Sequence, residues 1–247
     1  VIRTDRPGNK TQLVAHLRRT MNNPPPLPFL MPAMVRLATF RHGDLRGDWL
    51  QVKSARRAVL YLHGGGYVAG VTTTYHPLCS RFATELQADV FIPDYRLAPE
   101  HPYPAAVDDA VAAYGMLLAH GWLPEHIVIA GDSAGGGLTL ATLLRLRDAG
   151  TPLPACAIAM SPYADMTATA ASITANDRDD AILSRAMLLG GRNIYVPDPA
   201  REQEPYASPA FGDFSGLPPL LLTVEETECL RDDAYAVQAR AQAAGLD

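Results

Sequence analysis

The sequence predicts an α/β fold with a mostly parallel central sheet flanked by helices. Two observations point there: short apolar runs rich in β-branched residues recur along the chain, and helical patterns alternate with them. The first segment, residues 1 to about 40, stands outside this alternation. It holds a helix-like TQLVAHLRRTM followed by NNPPPLPFLMP, whose prolines at 24, 25, 26, 28 and 32 forbid a continuous helix. Strands are then expected at AVLYLHG (58–64), ADVFIPDY (88–95), HIVIAGD (126–132), ACAIAMS (155–161) and PPLLLTV (218–224). Each is apolar on both faces, as strands covered by helices on both sides must be.

The helices between them follow from periodicity and caps. Val107, Ala110, Val111, Tyr114, Leu117 and Leu118 make a buried stripe that ends at Gly121. A second helix is expected from Ser133 to about Ala149, and a third from about Leu230 to Ala244, each followed by a glycine. A second irregular segment spans about 166–207, where Ser184 can cap a helix through Leu189 before the loop VPDPAREQEP. Extra helical segments beside strand ends either form a lid over a site or decorate the surface. The reading taken is 1–40 as the N-terminal part of a cap, 41–247 as the core, and 166–207 as a cap insertion.

Composition narrows the class. The chain has 247 residues, 48% hydrophobic and 19% charged, enough for one large globular domain, and its net charge of -5 includes no basic cluster suited to nucleic acid or a membrane surface. Cys79, Cys156 and Cys229 are odd in number and far apart, which reads as reduced thiols of a cytoplasmic protein rather than a disulfide framework or metal site. The opening VIRTDRPGNKTQ lacks the pattern of a signal peptide. The chain starts at Val1 rather than Met, which leaves a removed leader open.

Gly131-Asp132-Ser133-Ala134-Gly135 fits G-x-S-x-G at a point where a strand should turn sharply into a helix. There the serine hydroxyl stands above the carboxyl edge of the sheet, and the helix start offers free N–H groups to a developing negative charge. Ala134 N–H is one candidate oxyanion donor. His63-Gly64-Gly65-Gly66 ends the first strong strand. Three glycines let the backbone turn its N–H groups toward a ligand, although a flexible turn would explain them too.

HGGG at 63–66, DYRLAPEHPYPAA at 94–106 and GDSAGG at 131–136, taken together, resemble the hormone-sensitive-lipase family of α/β-hydrolase esterases. The likeness runs over about 50–247 and includes SPYADMT (161–167) and ASPAFGDFSGLPPLLLTV (207–224). It implies an α/β-hydrolase fold, a cofactor-free carboxylesterase acting on short acyl chains, and a cap built from the N-terminal region and the later insertion. By that resemblance Ser133 is the nucleophile, and Ala134 with Gly64, Gly65 and Gly66 forms the oxyanion hole, Gly65 and Gly66 ahead of Gly64. Asp94, Glu100 and His101 are read as parts of a structural connection, and His63 as orienting the glycine loop.

The acid is expected after the strand that ends at Val224, where the family's acid-x-Leu turn matches Glu228 in ECL, with Glu226 and Asp232 as weaker candidates. Without the resemblance this acidic cluster reads as solvated first-turn charge. All seven histidines, at 16, 42, 63, 76, 101, 120 and 126, precede Ser133, whereas the fold's base follows the acid. The expectation is therefore a C-terminal strand and helix, with the base, missing from this sequence. The function implied is hydrolysis of small-molecule esters through an acyl-enzyme, with no metal or cofactor, by a monomer or homodimer. The alternatives are an amidase, or a non-catalytic small-ligand-binding protein on the same fold.

Overall fold

The computed structural model describes residues 9–23 and 30–246. Pro24, Pro25, Pro26 and Pro28, which were to break the first helix, lie outside the described residues, as do residues 1–8. Strands β1 (Val35–His42), β2 (Leu45–Val52), β3 (Arg57–Leu62), β4 (Ala88–Pro93), β5 (Ile127–Asp132), β6 (Cys156–Met160) and β7 (Leu220–Thr223) form one sheet. Its order is β1-β2-β4-β3-β5-β6-β7. The pairs β1 with β2 and β2 with β4 are antiparallel, and all the others are parallel. The helices are α1 (Lys10–Met21), α2 (His76–Leu86), α3 (Ala105–Ala119), α4 (Ala134–Asp148), α5 (Ser172–Ala175), α6 (Arg185–Tyr195) and α7 (Arg231–Ala243).

The two-residue period of the strands sorts their side chains onto two cores. Leu60, Leu62, Phe91 and Ile129 face one way, into a cluster with Val107 and Leu117 of α3, Leu138 of α4 and Val237 of α7. Val59, Tyr61, Val90, Ile92 and Ala130 face the other way, onto Cys79 and Ala83 of α2. Coverage of this second face thins toward the β7 end. Ile158 and Met160 are only partly buried and Leu221 is 56% exposed, because α2 packs on β1 to β4 and no other described helix takes over beyond them.

The first irregular segment was expected to run to about residue 40. That boundary falls inside β1, so the sheet begins at Val35. The hairpin of β1 and β2 escapes a search for doubly apolar runs because β1 is an edge strand, with Arg36, Thr39 and Arg41 interleaved. Helix α6 also runs six residues past Leu189, through two glycines to Tyr195. Among the described residues no helix is long and apolar enough to cross a membrane.

Candidate active site

Ser133 joins β5 to α4 with φ 54° and ψ -120°, a backbone conformation strained for any residue with a side chain. The surroundings over-determine it. Ser133 N–H donates to Met160 O at 2.8 Å, and its carbonyl accepts from Tyr163 N at 2.9 Å and Gly137 N at 3.0 Å. The flanking glycines are dictated by contact: a Cβ on Gly131 would overlap Gly135 O, and one on Gly135 would overlap Leu62 O at the end of β3. Helix α4 starts at Ala134, whose amide is one of the unpaired N–H groups of a first turn.

His63 to Gly66 follows β3. Gly64 N–H already donates to Tyr75 Oη at 2.9 Å and to Asp132 Oδ1 at 3.1 Å. That removes it as a free oxyanion donor, because the loop is held to the elbow through this amide. Asp132 also accepts from Tyr61 Oη at 2.9 Å and Tyr75 Oη at 3.1 Å, so the residue beside Ser133 clasps the glycine loop. Burial raises its pKa from the ordinary carboxylate value, and these donors offset part of the rise. The N–H groups of Gly65 and Gly66 have no acceptor among the described residues.

His63 is fully buried, donates from Nδ1 to Gly64 O at 2.8 Å and stacks on Tyr95 at 4.2 Å between ring centres. Burial lowers its pKa, which favours the neutral ring, and its place is behind the glycine loop. Of the connecting residues, Glu100 forms a bidentate pair with Arg18 of α1 at 2.6 and 2.8 Å, and none of Asp94, Glu100 and His101 borders the cavity at Ser133.

After β7 the three acidic candidates separate by direction. Glu226 is 73% exposed and pairs with Tyr235 Oη at 2.5 Å, and Asp232 accepts from Ser172 N at 2.8 Å while pairing with Arg231. Glu228 alone of the three lines the cavity. It is half-buried, and its Oε1 accepts from Ser161 Oγ at 2.9 Å. Burial raises its pKa, against the lowering by the Ser161 hydroxyl. The turn that carries it is stapled from the second irregular segment. Asn176 Nδ2 donates to Glu226 O at 2.9 Å and Glu228 O at 2.8 Å, and Cys229 N–H donates to Asp180 Oδ2 at 2.8 Å.

Ser133, Gly65, Gly66 and Glu228 thus open on one cavity of about 530 Å³. Leu17 and Met21 of α1 and Leu183, Met187, Leu188 and Gly191 in and before α6 wall it. Its polar groups sit at the carboxyl ends of β3, β5 and β7, the usual ligand side of such a sheet. None of the seven histidines lines it. Sequence reasoning missed Ser161, Tyr75, Asn176 and Asp180. Ser161 carried a faint signal, a polar residue at the end of an apolar run; the others had none, since the partners they hold at the site lie 11 to 57 residues away.

Comparison with known proteins identifies the family. The α/β-hydrolase fold family matches residues 59–247. The chain is 45% identical over 206 residues to an acetyl-hydrolase of Streptomyces hygroscopicus, covering 82% of this chain and 68% of that protein. It is 38% identical over 213 residues to an esterase of Acinetobacter venetianus, covering 86% and 70%. Among solved structures, an esterase from the bacterial hormone-sensitive lipase family superposes with a TM-score of 0.84 at 39% identity, covering 96% of this chain and 77% of that one. The fold and the strained serine turn are those of an α/β hydrolase. Within that class the chain belongs to the hormone-sensitive-lipase family of carboxylic ester hydrolases.

Proposed function

We propose that this chain is a serine carboxylesterase for short-chain acyl esters, working through an acyl-enzyme. One observation carries the reading: Ser133, strained at the start of α4, opens into the same cavity as the free amides of Gly65 and Gly66 and the carboxylate of Glu228. Ser133 Oγ attacks the ester carbonyl as a histidine takes its proton. The oxyanion is held by the N–H groups of Gly65, Gly66 and Ala134. Glu228, fixed by Ser161, orients the imidazole and stabilises its charged form. The imidazolium then protonates the leaving alcohol, and water attacks the acyl-enzyme to release the acid. Because none of the seven histidines lines the cavity, the reading takes this base from outside them.

With that histidine in place, the side chains and amides named need no cofactor for this chemistry. Helix α1 and residues 166–207 act as the cap, because both contribute walls to the cavity. Its size and mostly apolar lining suit a small ester. Hydrolysis of p-nitrophenyl acetate and butyrate by the full-length protein and by Ser133→Ala tests the reading. The expected loss in kcat/KM is roughly three orders of magnitude or more. Equal turnover by the two proteins would overturn it, and rates on matched amides decide between esterase and amidase.

A further inference from the structure

Two consecutive glycines lie inside α6, and packing accounts for only one of them. A Cβ on Gly190 would collide with Leu13 of α1, so the absent side chain there lets the two helices approach. Gly191 is buried in the same regular helix, yet a Cβ on it would meet nothing within 4 Å. After proline, glycine is the poorest residue for a helix interior, so an alanine would both fit and strengthen α6. Something other than packing or helix stability therefore benefits from the gap.

Gly191 lies three and four residues after Leu188 and Met187, on the same helix face, and all three border the cavity that holds Ser133. The empty space in front of Gly191 is thus the cavity itself. Helix α6 is also pinned. Tyr163 Oη donates to Leu188 O at 3.0 Å, and Arg192 Nη1 donates to Thr167 O at 3.0 Å and Glu202 Oε2 at 3.2 Å. A side chain added at 191 would enter the cavity rather than push the helix away.

We infer that Gly191 sets the length of the straight alkyl chain that the ester substrate can carry. Its missing side chain leaves room for the distal carbons, and the neighbouring walls, Leu183, Met187 and Leu188, offer them apolar contact alone. Position 191 selects by length, and any larger residue shortens the accepted chain. This inference rests on the esterase reading above.

The test compares the full-length wild type with Gly191→Ala and Gly191→Leu on two series: p-nitrophenyl esters of lengthening acyl chain, and acetates of lengthening straight-chain alcohols. In one series Gly191→Leu should lower the ratio of kcat/KM for the longest ester to that for the shortest by about tenfold or more, and Gly191→Ala should lower it less. The series that responds identifies which limb of the ester lies along α6. Gly191→Ala should also raise Tm by about 2 to 4 °C, as expected where a helical glycine faces open space. Unchanged length profiles in both series, or equal losses at every length, would overturn the inference while leaving the esterase reading intact. A wild type that turned over no ester would remove both.

Discussion

Ser133 holds a backbone conformation that costs on the order of 1–3 kcal/mol and persists only because its neighbours fix it. The glycines that permit this are what made the proposed nucleophile legible in the sequence: Gly131 and Gly135 are needed where backbone meets backbone, so residue type and structural requirement coincide. The proposed acid was not legible in the same way. Glu226, Glu228 and Asp232 lie within seven residues and share a charge, so residue type does not separate them; the family resemblance put Glu228 first, and it alone of the three lines the cavity. Gly64 illustrates the same limit, since nothing in HGGG tells which amide is already engaged by Asp132 and Tyr75. A kinetic contrast follows. Glu228→Gln should lower kcat by about 10³ or more, the scale set when the acid of a triad loses its charge. Glu226→Gln, altered on an exposed carboxylate, should change kcat by less than about twofold. The reverse order would move the acid to Glu226.

At the scale of elements, the acid turn is held from a distance. Asp180, 4% exposed, accepts from Cys229 N, Ile182 N and Leu183 N, so one carboxylate fixes both the turn bearing Glu228 and the approach to α6. Asp180→Ala leaves these N–H groups without that partner and should lower unfolding stability by roughly 2–4 kcal/mol. It should also reduce kcat/KM roughly 10- to 100-fold through misplacement of Glu228. Urea denaturation with parallel kinetics checks both, and a variant that lost stability but kept full activity would show that the staple serves packing alone. Strands β3 to β5 could be read from sequence because burial on both faces demands unbroken apolar runs, and β6 and β7 carry equally apolar runs although one face of each is only partly covered. The edge strand β1 could not, since it carries polar residues between its apolar ones, unlike the apolar run of the opposite edge strand β7. Helix α6 was read too short because its glycines look like an end, while the packing of Leu13 on Gly190 and the pinning of Arg192 keep it helical.

For the whole molecule, one buried carboxyl governs a component of the pH dependence. Asp233 of α7 is 1% exposed; its Oδ2 accepts from Ala164 N and Asp165 N at 2.9 Å each, and its Oδ1 has no partner among the described residues. Burial pushes its pKa up to about 8, whereas an unfolded aspartate titrates near 3.9. Between these values the native state keeps a proton that the unfolded chain has released. The contribution is therefore complete below about pH 4 and is lost as pH rises toward about 8. Denaturation of wild type and Asp233→Asn from about pH 5 to pH 8 should show the wild type losing ground by up to about 1.4 kcal/mol per pH unit. Parallel stability curves would mean that Asp233 is already ionised in the folded protein. No sequence pattern marked this residue, because it sits in an acidic run beside Asp232, which pairs with Arg231, and only α7 docking on residues 164 and 165 buries it.

The most direct test of the central claim is to trap the acyl-enzyme. Full-length protein mixed with p-nitrophenyl butyrate and quenched in acid during turnover should carry a single butyryl group, and fragmentation should place it on Ser133. An adduct on any other residue, or undiminished hydrolysis by Ser133→Ala, would contradict the account.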